Sequence, residues 1–538
     1  MEKKRVAIVG AGASGLAACK HALERGFRPV VFEADEAAVG GVWARTIAST
    51  RLQTPRPYFE FSDYPWPPGV TDLYPDHDQV TEYLRSYAKR FGVLGRVRFG
   101  CRVSALEYAG ADEGELMAWE HWAGNGQAFG TGRGEWRLTV HNGHAVETHV
   151  ADFVVLCIGR FSGVPNMPRF PPDQGPEAFG GTAIHSMEYA DMGAAKAAQL
   201  TKGKLVTVVG YQKSAVDIAT ECAAANGASR PCTIVFRTKR WIIPDFYAWG
   251  IPIPVFYLNR FAQLLLHKPG DSLILSLLAT LLSPLRWFFS KFVESYYKWT
   301  LPMKKHDMVP EQSFLEAMCS CSVMKLPDGF YDKVEEGSIV LKKAMSLSFC
   351  KEGLVVDGGS ESSSSSSTTT TTINSDVVIF ATGFNGDQKI RDMFTSPLFR
   401  HLVAGSPSGI VPHFRQCIHP RIPQLAIIGY AECSFNLTMF EMQSKWLAHF
   451  FHGSFRLPSI QAMEADVGEW DRYMKRYAPG RFRRSCVGPV NVLCSDRLCQ
   501  DMGVDQRRKK WLLADWLLPY GPADYADIKL TNSNGSGV

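Results

Sequence analysis

The stretch Arg5-Val-Ala-Ile-Val-Gly10-Ala-Gly12-Ala-Ser-Gly15-Leu-Ala-Ala-Cys-Lys20, completed by Val30-Val-Phe-Glu33, decides how this chain folds. An apolar run ends in a glycine, as a buried strand does, and a good helix former follows the third glycine. Gly10 permits a tight turn, Gly12 lets backbone approach a pyrophosphate, and Gly15 allows close packing of helix on strand. Ala11 and Ser14 lie on the same turn, where free N–H groups at a helix N-terminus suit phosphate. Glu33 ends the second strand 18 residues beyond Gly15, placed to accept hydrogen bonds from a ribose diol. The spacing predicts an α/β fold opening on a dinucleotide-binding, Rossmann-like unit.

The same layout recurs from Leu205-Val-Thr-Val-Val-Gly210 to Thr233-Ile-Val-Phe-Arg237. Its turn, Gly210-Tyr-Gln-Lys213-Ser214-Ala215, has Gln212 where the first turn has its middle glycine. The second strand ends in Arg237-Thr-Lys239-Arg240 rather than an acid, and a basic cluster there attracts a 2′-phosphate, selecting NADP over NAD. A solvated basic turn is the competing reading.

Two more apolar runs, Phe153-Val-Val-Leu-Cys-Ile-Gly159 and Val377-Val-Ile-Phe-Ala-Thr-Gly383, read as strands closing each unit. They divide the chain into 1–165, a first FAD-type part; 166–384, an inserted NADP-type domain; and 385–538, a return to the first domain. Residues 360–372 are almost pure Ser and Thr and predict a solvated loop between strands; Thr531–Val538 predicts a frayed tail.

The remaining composition excludes more than it assigns. Across 538 residues, 58 basic against 53 acidic side chains leave a charge too small for nucleic acid as main partner. Thirteen cysteines, with no CxxC, suit a reducing compartment, and the expected location is the cytoplasm. The apolar N-terminus carries glycines that a secretory signal avoids. Leu273–Leu282 falls short of a membrane span and predicts a buried or amphipathic helix. Its Arg286-Trp-Phe-Phe289 continuation leaves peripheral contact with a membrane, such as the endoplasmic reticulum, as the alternative. Cys319 and Cys321 lack companion ligands at zinc spacing, Cys494 and Cys499 read as buried thiols, and isolated His77 and His419 read as structural, so no metal is predicted.

Further motifs resemble the flavin-containing monooxygenase family over most of the chain. Gly40-Gly41-Val42-Trp43 resembles its GG-x-W element, and Phe179-Gly-Gly181-Thr-Ala-Ile-His185-Ser-Met-Glu-Tyr189 its FxGxxxHxxxY fingerprint. Ala381-Thr-Gly383-Phe384 resembles the element that closes the nicotinamide domain. Leu52-Gln53-Thr54-Pro-Arg56 with Phe61-Ser-Asp-Tyr-Pro65, and Pro519-Tyr-Gly-Pro-Ala-Asp-Tyr525, are similar to plant members, most of all the pipecolate N-hydroxylase subgroup.

The resemblance implies FAD and NADPH as cofactors, with the NADP domain inserted into a discontinuous FAD domain. It implies oxygenation of an amine or sulfur substrate by O2 through a flavin C4a-hydroperoxide, and points to N-hydroxylation of a small cyclic amino acid such as pipecolate in plant defence. The alternatives are S-oxygenation, oxidative decarboxylation of an aryl 2-oxo acid, or an NADPH oxidase or flavin-binding sensor without a coupled substrate. Ketone oxygenation is disfavoured, because Tyr189-Ala190 stands where Baeyer–Villiger enzymes have Trp-Pro. Gln53 occupies the place of a family Asn near the flavin, either as a functional amide or as a structural loop residue. His185 either bridges linker and cofactor or is a satisfied structural histidine. The segment Ala431–Phe435 leads into a predicted helix, with Glu441, Gln443 and Trp446, whose N-terminus would face the flavin pyrimidine.

Overall fold

Two five-stranded parallel sheets organise the computed structural model, which describes residues 4–357, 370–480 and 483–528. The first runs, in spatial order, Leu425–Ile427, Phe153–Leu156, Val6–Val9, Val30–Phe32 and Val97–Arg98. The second runs Ile339–Lys343, Cys232–Phe236, Val206–Val209, Val377–Phe380 and Thr182–His185. The central strands Val6–Val9, Phe153–Leu156, Val206–Val209 and Val377–Phe380 are buried throughout, so they read as unbroken apolar runs rather than alternating ones. Leu425–Ile427 pairs with Phe153–Leu156, so the first sheet is completed by residues that follow the second in sequence.

The chain returns through the 16-residue helix Asn436–Phe451, which packs on Ala13–Glu24. Nearly all of that returning helix is buried, including Glu441 and Lys445.

Three expectations need correction. Of the Ser/Thr stretch, Thr370–Thr372 belong to a strand, Thr370–Asn374, antiparallel to Gly353–Asp357; β-branched threonine favours the extended chain. The rest of that stretch and the Thr531–Val538 tail lie outside the described residues. Cys321 and Cys486 form a disulfide across 165 residues of sequence, tying the second unit to the C-terminal return, while eleven cysteines stay free. Finally, Leu273–Leu281 is a helix but is not buried: Leu273 is 92% exposed, and Ile274, Leu277 and Leu281 face solvent with it.

Candidate active site

The first glycine turn is held by backbone contact. Gly10 takes φ +101° and its N–H donates to the Phe32 carbonyl at 2.8 Å. A Cβ at Gly10 would lie 2.5 Å from the Cys157 carbonyl oxygen, and one at Gly15 only 1.9 Å from the Gly10 oxygen. Gly12 starts the helix with no side-chain cap, leaving its first N–H groups available to an anion. Against this turn lies Gly41–Trp43: the Gly40 N–H donates to the Ala11 carbonyl at 3.0 Å, and a Cβ at Gly41 would sit 3.2 Å from the Gly12 Cα. This cradle, which side chains would fill, fits a pyrophosphate.

Glu33 accepts from the Ala11 N–H at 2.6 Å and the Asp35 N–H at 2.9 Å. It therefore braces the turn from the end of the second strand. Ser14 is buried on the helix, Val42 is exposed, and Trp43 packs edge-on against Phe59 with ring centres 5.7 Å apart.

The loop after the cradle is fixed by the return of the chain. The buried Leu52 donates its N–H to the Pro75 carbonyl at 2.9 Å, and the Thr54 hydroxyl reaches the Ser434 carbonyl at 3.5 Å. Gln53, half-buried between them, has no hydrogen-bond partner among the described residues. Downstream, Glu441 accepts from the Ser62 N–H at 2.8 Å and its hydroxyl at 2.6 Å, and Lys445 donates to Ser62 and to the Tyr525 carbonyl. Burial pushes the Glu441 carboxyl up, but Lys445, His21 and Ser62 together outweigh it and hold it down at about 2.

The second turn repeats the contact pattern of the first. Gly210 takes φ +135°, donates its N–H to the Val235 carbonyl at 2.8 Å, and would put a Cβ 2.4 Å from the Ala381 oxygen. Ala215 is fully buried where the first turn has Gly15, and Ser214 is half-buried beside it. Gln212 caps the helix Lys213–Asn226 without a side-chain bond to it.

The predicted cations divide in two. Lys213 and Lys239 are already paired, with Asp217 at 2.5 Å and Asp307 at 2.7 Å, while Arg237 stands exposed just beyond the strand. Burial raises the Asp217 carboxyl to about 6 even beside Lys213.

His185 and Tyr189 have structural partners. His185 is fully buried at the end of its strand, accepts from the Met187 N–H at 3.1 Å through Nδ1, and meets Phe384 edge-on at 5.4 Å. Burial lowers its pKa, and Nε2 has no partner. The Tyr189 hydroxyl donates to Glu221 at 3.0 Å, whose other oxygen accepts from the Ser49 N–H at 2.7 Å. The fingerprint thus straps the second unit to the loop following the first cradle. Gly383, φ +84°, accepts from the Asn166 N–H at 2.9 Å and closes the linker. Sequence reading missed Glu221, Lys445 and Arg483, the last paired with Glu432; for Lys445 the helical spacing from Glu441 offered a signal.

Comparison with known proteins settles the class. The flavin-binding monooxygenase-like family pattern matches residues 3–281. The chain is 37% identical to a probable flavin-containing monooxygenase 1 of Arabidopsis thaliana, over 98% of this chain and 96% of that one. This chain belongs to the flavin-containing monooxygenase family. A putative flavin-containing monooxygenase 2 of the same plant is 34% identical, over 93% and 97% of the two chains. Among solved structures, OTEMO in complex with FAD and NADP superposes with a TM-score of 0.63 at 18% identity, over 92% and 97% of the chains. The S-allyl-L-cysteine S-oxygenase of Allium sativum superposes at 0.53 and 17%, over 93% and 89%.

This flavin-containing monooxygenase uses FAD and NADPH to oxygenate a small molecule with O2. When bound, the reduced flavin supplies the electrons that place one oxygen atom on substrate and the other in water. The monooxygenase's own residues bind, orient and exclude water: the gap between Gly12 and Gly41 would hold a flavin pyrophosphate, and buried Glu441 and Lys445 hold the chain at Ser62, downstream of the Leu52–Thr54 loop.

Proposed function

We propose that the enzyme hydroxylates the nitrogen of a small cyclic amino acid such as pipecolate, with FAD on the first glycine turn and NADPH on the second. The supporting observation is a cavity between the start of helix Asn436–Phe451, the start of helix Asn491–Asp501 and Tyr520. Its lining is mostly apolar, yet both polar atoms of Asn491 and the Thr438 hydroxyl are buried without partners. Leaving such groups unpaired costs about 1–3 kcal/mol each, so they suit a guest that brings its own donors and acceptors; at about 10 Å³ the closed cavity has the size of one water, and an amino acid enters only as the two helix starts part. Phe435 joins this cavity to Ser434, the residue that Thr54 reaches from the flavin-side loop. The Allium neighbour is named for an amino-acid substrate, which supports the same class and makes S-oxygenation of an amino-acid thioether the second reading.

Stopped-flow oxidation of the NADPH-reduced enzyme distinguishes them. With NADP present, pipecolate is expected to hasten the decay of a long-lived species absorbing in the near ultraviolet and to yield N-hydroxylated product in step with NADPH use. Acceleration by a thioether amino acid alone would favour sulfur. An aryl 2-oxo acid as sole accelerator would overturn both readings, and peroxide release with every compound would leave an uncoupled oxidase.

We further propose that the enzyme rests on an anionic membrane surface, as at the cytoplasmic face of the endoplasmic reticulum. Among the described residues no single helix is long and apolar enough to cross a bilayer; Leu273–Leu281 and Ser283–Thr300 meet at a 50° bend. The pair exposes Leu273, Leu277, Trp287 and Phe288, and a separate segment exposes Trp511, Leu512 and Leu513. Helix Arg260–Leu264 packs against both segments, so the two apolar surfaces are neighbours. Exposed Lys291, Arg507 and Lys510 border them, the arrangement of an interfacial apolar face rimmed by cations. Pelleting with phosphatidylserine vesicles at low salt is expected, with release on Leu273→Glu/Trp511→Glu; no binding to such vesicles would defeat this docking.

A further inference from the structure

We propose that Arg483, carried in by the C-terminal return, is the cation that receives the nicotinamide cofactor's pyrophosphate at the second glycine turn, with Gln212 as its holder. The proposal rests on the reading that this turn is the NADPH site. In the first turn Gly12 leaves room for phosphate to approach backbone; in the second, Gln212 occupies that place and its side chain does not cap the helix. Its amide oxygen instead accepts from Arg483 at 2.8 Å. The other arm of the guanidinium meets Glu432 at 2.7 Å, and Glu432 is itself buried and bonded to the Ser485 hydroxyl at 2.6 Å.

Charge and restraint both favour this role. Arg483, Arg160 and Arg484 form one ion-pair network with Glu432 and Asp387, three guanidinium groups against two carboxylates. The network therefore carries one uncompensated positive charge at the mouth of the turn, and guanidinium suits phosphate through paired N–H donors. Lys213 and Lys239 each point to a single carboxylate and Arg237 lies beyond the adjacent strand, whereas Arg483 divides its guanidinium between Glu432 and Gln212 and so reaches the glycine turn itself. Cys486, three residues on, is bonded to Cys321 of the inserted unit, which restrains the segment presenting Arg483. A longer side chain in place of glycine thus moves the phosphate contact from backbone N–H to a borrowed arginine.

Binding of NADP+ to the FAD-loaded, full-length protein tests this by calorimetry, without turnover. Arg483→Ala is expected to weaken NADP+ about 10- to 100-fold, the range of a lost charge-assisted hydrogen bond, and Arg483→Lys less. Adenosine 2′-monophosphate, which lacks the pyrophosphate, should bind the wild type and Arg483→Ala alike, whereas Arg237→Ala should weaken both ligands. If Arg483→Ala loses its flavin, Gln212→Ala supplies the reading: NADP+ several-fold weaker, adenosine 2′-monophosphate unchanged. NADP+ affinity within twofold of wild type in a folded Arg483→Ala, or equal loss for both ligands, overturns the proposal. If Arg237→Ala is also silent, the placement of NADPH on this turn fails with it.

Discussion

Gly15→Ala is expected to yield a protein without flavin and with a markedly lower melting temperature. The added Cβ would lie 1.9 Å from the Gly10 carbonyl oxygen, 3.0 Å from its carbonyl carbon and 3.4 Å from the Cys157 Cβ. None of these is the far end of a flexible side chain. Strand Val6–Val9, the turn and helix Ala13–Glu24 must therefore separate, and the helix is buried along most of its length. Overpacking of a tight core costs about 1–3 kcal/mol, and a backbone clash of this depth belongs at or above the upper end. Because the same separation dismantles the phosphate cradle, loss of cofactor removes its ligand stabilisation as well.

Gly12→Ala is the informative companion. A Cβ there would be 3.7 Å from the Gly41 Cα, ordinary contact, so the apo fold should survive. The methyl would nonetheless stand in the gap between the two turns where phosphate must approach, so the flavin-to-protein absorbance ratio should fall while the apo melting temperature holds. A yellow Gly15→Ala with wild-type melting would show that the turn relaxes easily and that the packing argument is wrong.

These glycines explain why part of the molecule was readable from sequence. A bare backbone is required where three chain segments meet, and residue type alone announces it: Gly10 against Cys157 and Gly210 against Ala381 repeat one contact in two sheets. The partners that tie the units together leave no such mark. Ser62 and Glu441, Ser49 and Glu221, and Cys321 and Cys486 meet only after folding, and each residue alone is commonplace on a surface. His185 was legible as a motif member but not as a helix cap packed on Phe384, because a motif fixes residue type and not what the ring touches. Composition likewise identified Leu273–Leu281 as apolar yet could not say which side faces water. Burial depends on what packs above it, and nothing among the described residues covers Leu273.

The same dependence on tertiary packing gives the second large effect: stability should fall steeply between about pH 6.5 and pH 4. His413 and His419 are both buried, their rings 6.4 Å apart. His413 bonds the Val403 carbonyl at 3.1 Å through Nε2, and His419 Nδ1 accepts from the Arg421 N–H at 3.1 Å. Burial pulls the first down to about 4 and the second to about 3. Asp387 favours the His413 proton, while Arg484 and Arg160 oppose it; His413 and Arg421 oppose charge on His419. The unfolded chain takes up these protons near its ordinary value of about 6.5, and the native state does so only well below it. Between those values the unfolded state binds more protons, so stability present at neutral pH is lost as pH falls. At pH 4 the loss reaches about 3 kcal/mol per histidine, taking about 1.4 kcal/mol for each tenfold change in proton affinity, while Asp217, raised to about 6 by burial, acts with the opposite sign over the same range and offsets most of one histidine's share. Glu441, held at about 2, adds a loss of the same sign below about pH 4.5. Urea unfolding of the FAD-loaded protein from pH 7.5 to pH 4, at fixed ionic strength, measures the slope, and His413→Gln, which keeps a donor for Val403, should flatten it. A midpoint that stays level through this range, or a slope untouched by His413→Gln, would show that these imidazoles take up protons without unfolding the core.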